Sequence, residues 1–590
     1  MFKKNKKNSN NEELKVEEIK VEEIKVADLK EKEEKQDLVK VEKKKKEKKK
    51  LKITKDGFLS FITKIALLIA LCVLLFLFIA AISHTAHFWN AAVNMYHEGL
   101  HYEKDNIGLN ILYVTAFVAL ISIVSFIFSK INKKVSYFIL ITVSLAFILI
   151  AGIWWVNFVR APVKSDQGTV FNLANAFSKE DYAGIEGKGY FYMHPLQFGC
   201  VLGMELIIKL IGNGEALTFQ MLNAGFITGI IALVYYLTNK IYQNRKVNQN
   251  VYLLSGLLLV LPLYSTVVYG NIFGLFFSLL AVCFLFKFYE DYKIRYIVLI
   301  TLSLMIAIIF KSNYEIVMIA ILISLFIEMI KKYNVKLLAC ILIVLIGFSV
   351  SYPLVYSIVE KRSGVEVNEG IPMLTYIAMA MLKPYSRNSG WYHDSINVET
   401  IYPGNSFDEE KTIEASKEII INRLKEFYHA PKMMIKFYQD KICSTWIEPA
   451  FQTLWWSEPL EVFDGQPQEY KDYILNNEQL IGILHGEEHK VIITYLDILE
   501  ITIFVMSIIS IISGIKNNTY DNKNFVLIIT FLGGFLFHVL WETKSIYVIP
   551  FYIMLLPSAA DGIEVTNEFL KDSILKIINK LKSIRKSKVK

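Results

Sequence analysis

Along most of the chain, apolar residues run unbroken instead of alternating with polar ones. Ala66 to Ile82 and Phe138 to Val159 hold no charged residue. Such runs exceed what a soluble core helix needs and match the roughly 20 residues that cross a bilayer. They predict an all-α polytopic membrane protein. Spans are expected near residues 57–83, 107–129, 135–159, 216–238, 251–269, 271–289, 295–310, 313–330, 336–358, 491–514, 524–541 and 546–561, about twelve in all. One more apolar stretch, His194 to Gly212, opens with His194-Pro195 and carries Gln197, Glu205 and Lys209. That polarity suits an amphipathic interfacial or re-entrant segment better than a lipid-facing span.

Charge then orients the pattern. The chain has 590 residues, is 54% hydrophobic and has a net charge of +8. Residues 1–56 contribute +6 and residues 571–590 contribute +7, so everything between them sums to −5. Excess Lys and Arg are retained on the cytoplasmic side, which predicts that both ends lie there. An even number of spans satisfies this and keeps His194–Gly212 along the outer interface. The organisation that follows is a disordered charged tail (1–56), a transmembrane hairpin (57–134), a transmembrane core (135–359) with an outer loop at 160–215, an extracytoplasmic loop domain (360–490), C-terminal spans (491–561) and a basic tail (562–590). The pentad repeat Lys15-Val-Glu-Glu-Ile and the run Lys43 to Lys50 fit a solvated tail, or a polybasic patch attracted to anionic lipid. Some fifty polar residues precede the first apolar run, unlike a signal peptide. With the basic ends cytoplasmic, the positive balance points to the lipid bilayer as partner and not to nucleic acid.

Five cysteines form no CxxC pair, so neither a thiolate zinc site nor a redox motif is expected. Chemistry is sought instead at the outer ends of the spans, where ionisable residues gather. Asp166 follows the span ending near Val159 and is placed to act as a general base on an acceptor hydroxyl. A solvated loop acid or helix cap is its alternative reading. Lys544 and Lys311 stand at headgroup height, where an ammonium suits a lipid phosphate, although either lysine would also serve as a snorkelling end-cap. Glu542 lies two residues from Lys544 in a short turn, so the two are expected to pair with each other or with a ligand.

These segments resemble the GT-C superfamily of membrane glycosyltransferases, which use polyprenyl- or dolichyl-phosphate sugars. The likeness rests on Ser165-Asp166-Gln167 after a span, an aromatic cluster leading into His194-Pro195 and Gly199, Gly370-Ile371-Pro372, Ser389-Gly390-Trp391-Tyr392, and Trp541-Glu542-x-Lys544-Ser545-x-Tyr547. It covers roughly residues 135–561 and is nearest to bacterial mannosyltransferase-like members. It implies Asp166 as base or acceptor-binding acid and Lys544 and Lys311 as ligands of the donor phosphate. Around them, Gln167, Tyr190, His194, Trp391, Tyr392, Glu542 and Tyr547 become candidates for substrate contact. The acceptor would be an extracytoplasmic glycan, lipid or protein. No cofactor is implied with certainty; a divalent ion would find Asp166 and Glu542. The sequence departs from the pattern at Ile546, where such relatives commonly carry Arg.

Two rival readings come from the same chain. His97-Glu98-Gly99-Leu100-His101 fits the H-E-x-x-H zinc-protease pattern, two imidazoles on one helix face with a glutamate to activate water. Gly99 weakens that helix by about 1 kcal/mol, and no third ligand follows in register. An incidental histidine cluster or a metal site of another kind is also open. A flippase or polysaccharide exporter would likewise have about twelve spans, but transporters carry ionisable residues near the midplane and often two related halves. Neither feature stands out here.

Overall fold

The computed structural model describes residues 59, 61–90, 95–459, 467–517 and 522–587; the tail 1–56 lies outside the described residues. The chain divides into two units, Met1–Ile65 and Ala66–Lys590. Almost every element is helical. Helix α1 (Phe61–Ser83) is followed by strands β1 (His84–Asn90) and β2 (Met95–Lys104), then α2 (Ile107–Ser129), α3 (Lys133–Val159), α4 (Ser165–Ser178), α5 (Tyr190–Met193) and α6 (Phe198–Ile211). Next come α7 (Ala216–Tyr242), α8 (Arg245–Gly256), α9 (Val260–Tyr264), α10 (Gly270–Asp291), α11 (Ile294–Phe310), α12 (Glu315–Lys332) and α13 (Lys336–Ser363). Seven further helices follow: α14 (Met373–Ala380), α15 (Val398–Gly404), α16 (Glu409–His429), α17 (Pro431–Trp446), α18 (Thr453–Trp456), α19 (Gln468–Leu475) and α20 (Glu478–His485). The chain ends in α21 (Glu487–Asn517), α22 (Asn522–Leu540), α23 (Ile549–Ile553) and α24 (Leu556–Ser587).

Among the described residues, eight helices are long and apolar enough to cross a membrane, and α11 and Asn524–Leu540 are shorter apolar helices. The runs expected as spans at 251–269 and 546–561 are instead broken. In the first, α8 stops at Gly256 and α9 lasts five residues. The carbonyls freed beyond it are capped from α7: Gln220 donates to Thr266, and Asn223 to Ser265 and Val267, at 2.9–3.3 Å, while Gln220 also donates to the Ala161 carbonyl after α3 at 2.9 Å. Irregular backbone is tolerated among apolar helices where protein groups satisfy it in this way. In the second, a 3-10 turn at Ser545–Tyr547 and Pro550 at the start of α23 interrupt the run. The stretch His194–Gly212 forms the 14-residue helix α6, about 21 Å at 1.5 Å per residue, short of a crossing. Its buried Glu205 accepts two hydrogen bonds from Arg362 (2.6 and 2.7 Å) and pairs with Lys209. The basic end is helical through Ser587 as the continuation of α24, which is buried along Leu556–Ile563 and largely exposed from Phe569 to Leu581.

One element departs from the all-α expectation. Strands β1 and β2 pair antiparallel, His84 opposite Lys104 and His87 opposite His101, with a bulge between His87 and Trp89. Their sequences, HTAHFWN and MYHEGLHYEK, carry the Thr and aromatic residues that favour strands. The H-E-x-x-H motif therefore lies on a strand, where Glu98 and His101 face opposite sides, and not on the helix that a zinc protease requires.

Candidate functional site

Helix α3 ends at Arg160 in the left-handed conformation, and a short connection leads to α4. Lys164, just before α4, is buried; its ammonium donates to the carbonyls of Trp455 (3.0 Å) and Glu458 (3.2 Å) and lies 4.3 Å from the Trp455 ring centroid. This anchor fixes the start of α4. Asp166, in the first turn, stays exposed, while Gln167 turns inward and is buried. A fixed backbone with an open carboxylate is what a base acting on an incoming hydroxyl requires.

Facing it is a chain of hydrogen bonds built from two loops. His194 Nδ1 lies 2.9 Å from the Tyr376 hydroxyl and its Nε2 3.2 Å from Glu399. With Nε2 protonated, His194 donates to Glu399 and accepts from Tyr376, and the Tyr392 hydroxyl donates to the other Glu399 oxygen at 3.2 Å. The hydrogen bond from His194 holds Glu399 below the usual carboxylate range despite its burial. Gly370 locks the two loops together. Its φ is +78°, and a Cβ there would stand 2.4 Å from Pro195 and 2.8 Å from the Met193 carbonyl, which accepts from Ile371 at 3.0 Å. Tyr376 in turn stacks on Trp541 at 5.4 Å, reaching the late turn.

The late turn supplies charge. Lys544 pairs with one carboxylate oxygen of Glu98, and Arg387 Nε donates to the other at 2.5 Å. Arg387 also pairs with Asp394. Burial alone would raise Glu98, but Lys544 and Arg387 outweigh it and hold the carboxyl below its ordinary value. Burial pushes Glu542 up, with Lys544 opposing. Lys311 sits 4.0 Å from the Tyr269 ring and 5.8 Å from that of Tyr547. Burial pushes its ammonium down, and the charge of Asp166 opposes this.

These groups share one electrostatic neighbourhood. Burial pushes the phenols of Tyr190, Tyr376, Tyr392 and Tyr547 up, and the charge of Asp166 adds to each. Asp166, Lys311 and Lys544 all act on Glu542. The structure thus brings Asp166, Tyr190, His194, Lys311, Tyr392, Glu542, Lys544 and Tyr547 together. It leaves Trp391 outside this group, and Gln167, next to Asp166, is buried. Trp391 is fully buried, donates to Ser444 at 3.1 Å and packs 5.9 Å from Phe88, so its ring fills the core and offers no surface to a substrate. Among the described residues, no group of three or more His, Cys, Asp or Glu side chains is arranged to hold a metal ion.

A family described as "Conserved hypothetical integral membrane protein" matches residues 58–564. The chain belongs to that family. No curated protein matches it.

Glu98, Tyr269, Tyr376, Arg387, Glu399 and Lys441 are the members of this neighbourhood that sequence reasoning missed as site residues. Lys441 is buried, donates to the Ala380 carbonyl at 2.9 Å, and is pushed down to about 7 by burial, with Glu542 opposing. Glu98 had a signal, the H-E-x-x-H match, but it pointed to the wrong chemistry. Tyr269 closes the apolar run 251–269, where it reads as one more interfacial aromatic, and the other four lie in the 360–490 segment without a motif that marks them.

Proposed function

We propose that the chain is an integral membrane glycosyltransferase of the GT-C type, transferring a sugar from a polyprenyl-phosphate donor to an extracytoplasmic acceptor. The observation that carries this reading is the convergence of an exposed, backbone-anchored Asp166 with Lys311 and Lys544. Asp166 takes the proton of the acceptor hydroxyl, the oxygen attacks the anomeric carbon, and the bond from that carbon to the phosphate oxygen breaks. The lipid phosphate leaves with the electron pair, beside Lys544 and Lys311. A single displacement inverts the anomeric centre. The aromatic rings of Tyr190, Tyr392 and Tyr547 supply the surface on which a sugar packs. In this reading the chain crosses the cell membrane an even number of times, both ends are cytoplasmic, residues 360–490 form a small outer domain and the site faces outward. Full-length protein in detergent or nanodiscs, given a labelled polyprenyl-phosphate sugar and a panel of acceptors, should transfer label; near-normal transfer by Asp166→Asn would sink the assignment of the base.

Transport is the second reading, and one observation favours it. Asp497 and Glu500 are buried within α21, and Asp497 Oδ1 and both Glu500 oxygens make no hydrogen bond. Ionisable groups within a membrane helix often mark an ion or proton path. Under this reading Asp497→Asn and Glu500→Gln abolish function and Asp166→Asn does not, the reverse of the glycosyltransferase expectation.

A further inference from the structure

The His97–His101 motif finds no place in the transferase chemistry, yet its glutamate is among the most tightly engaged side chains near the site. Strand β2 is pressed against the loop before Trp391. Leu100 N donates to the Asn388 side chain at 2.8 Å, and a Cβ at Gly99 would stand 2.7 Å from the Ser386 carbonyl. Only a residue without a side chain permits that approach. The contact delivers Glu98 between two cations from distant segments, Arg387 on one oxygen and Lys544 on the other. Two cations that converge on one carboxylate also match one phosphate, which offers the same paired oxygens. The guanidinium lies 5.8 Å from the Tyr392 ring, which places the pair beside the His194–Glu399 chain.

We propose that Glu98 is an exchangeable counter-ion: it occupies Arg387 and Lys544 in the empty site and is displaced by the phosphate group of the substrate. This rests on the reading of the site given above and adds Arg387 as a second phosphate ligand. The exchange conserves charge when the incoming group is a phosphodiester bearing one negative charge, as in a monophosphate-linked sugar. After transfer the lipid monophosphate carries about −1.5 to −2 at neutral pH. Glu98 then competes to return, and that competition promotes product release. Glu98 is a positioning residue here and touches no reacting atom.

The test is the affinity of purified full-length protein for polyprenyl phosphate in micelles and, separately, for inorganic phosphate. With the competing charge removed, Glu98→Gln should bind polyprenyl phosphate at least about tenfold tighter than wild type. In turnover the same variant should lower both KM and kcat as product release slows. The gain should vanish when Arg387→Met is added. Glu98→Asp, one methylene shorter, keeps the charge for folding but cannot reach both cations equally, and should give a smaller gain of the same sign. Equal affinity in wild type and both variants overturns the exchange while leaving the transferase reading intact, because wild-type binding and transfer would persist. A lower melting temperature with unchanged phosphate affinity also overturns it, showing Glu98 to be a strut. No binding of either probe by any form overturns both the exchange and the donor assignment. A gain confined to inorganic phosphate supports the exchange but overturns its lipid-linked source.

Discussion

Around His194 the polar groups are joined by hydrogen bonds through hydroxyls and an imidazole, whereas around Glu98 they are joined by ion pairs. The first half, Tyr376–His194–Glu399–Tyr392, is joined through one carboxylate, and Arg387 reaches it only at the Tyr392 ring face, 5.8 Å from the centroid. The second half holds Lys544, Arg387, Glu98 and Asp394 in direct contact. Hydrogen-bonded groups of this kind fix orientation and can move protons, while partly buried fixed charges select a charged ligand. The proposed transfer, in which an acceptor loses a proton and a donor leaves as an anion, would use these two environments side by side. Asp166 is coupled to both, acting electrostatically on Tyr376 and Tyr392 on one side and on Lys311 and Glu542 on the other.

The largest expected effect tests that coupling. Asp166→Asn should lower transfer by about 10²–10⁴-fold, the usual contribution of a positioned base, with donor binding retained; a rate assay paired with donor binding separates the two. Lys544→Met should weaken donor binding by about ten- to a hundredfold, as expected for one charge-assisted hydrogen bond worth roughly 1.5–3 kcal/mol. If instead it alters kcat alone, the division between the two halves fails. Glu399→Gln, in the hydrogen-bonded half, should cost about fivefold in acceptor KM, from a net loss of roughly 1 kcal/mol, and leave donor affinity unchanged.

Two smaller effects concern the frame. Lys441 titrates at about 7 in the folded protein and near 10.5 when unfolded. Between these values the unfolded chain binds the extra proton, so stability should rise with pH across that window. Lys441→Met should remove that rise, which thermal unfolding at pH 7 and pH 9.5 would read. Glu448, which accepts from Ser545 in the late turn, is pushed up to about 7 by burial and has the opposite sign. It contributes stability at acid pH that is lost as the pH rises from about 4.5 through 7. Trp391→Phe should lower stability by leaving Ser444 without its donor, and should leave transfer unchanged. A specific loss of acceptor binding in that variant would return Trp391 to the site.

Much of the fold was legible because lipid imposes a simple rule: a charge-free run of some twenty residues has few alternatives to a membrane helix. Helices α1, α2, α3, α7, α10, α13 and α21 appear where the apolar runs predict them. The rule fails at 251–269 and 546–561, because run length does not reveal that Gln220 and Asn223 on α7 cap the freed carbonyls. Nor could composition foresee a hairpin at His84–Lys104, whose strands hold each other in register.

For the site, the sequence by itself determined which side chains stand at span ends: Asp166, Lys311, Glu542 and Lys544 each follow or precede an apolar run, and the cost of burying charge in lipid keeps them there. Only the tertiary structure decided which of them meet. Glu98 and Lys544 are 446 residues apart in the chain, and His194 and Glu399 are 205 apart. Contacts between such distant segments depend on backbone approaches, at Gly99 and Gly370, that no local pattern encodes. The same three-dimensional packing turned Trp391 into the core and converted a sequence match for a zinc-protease motif into an ion-paired strand.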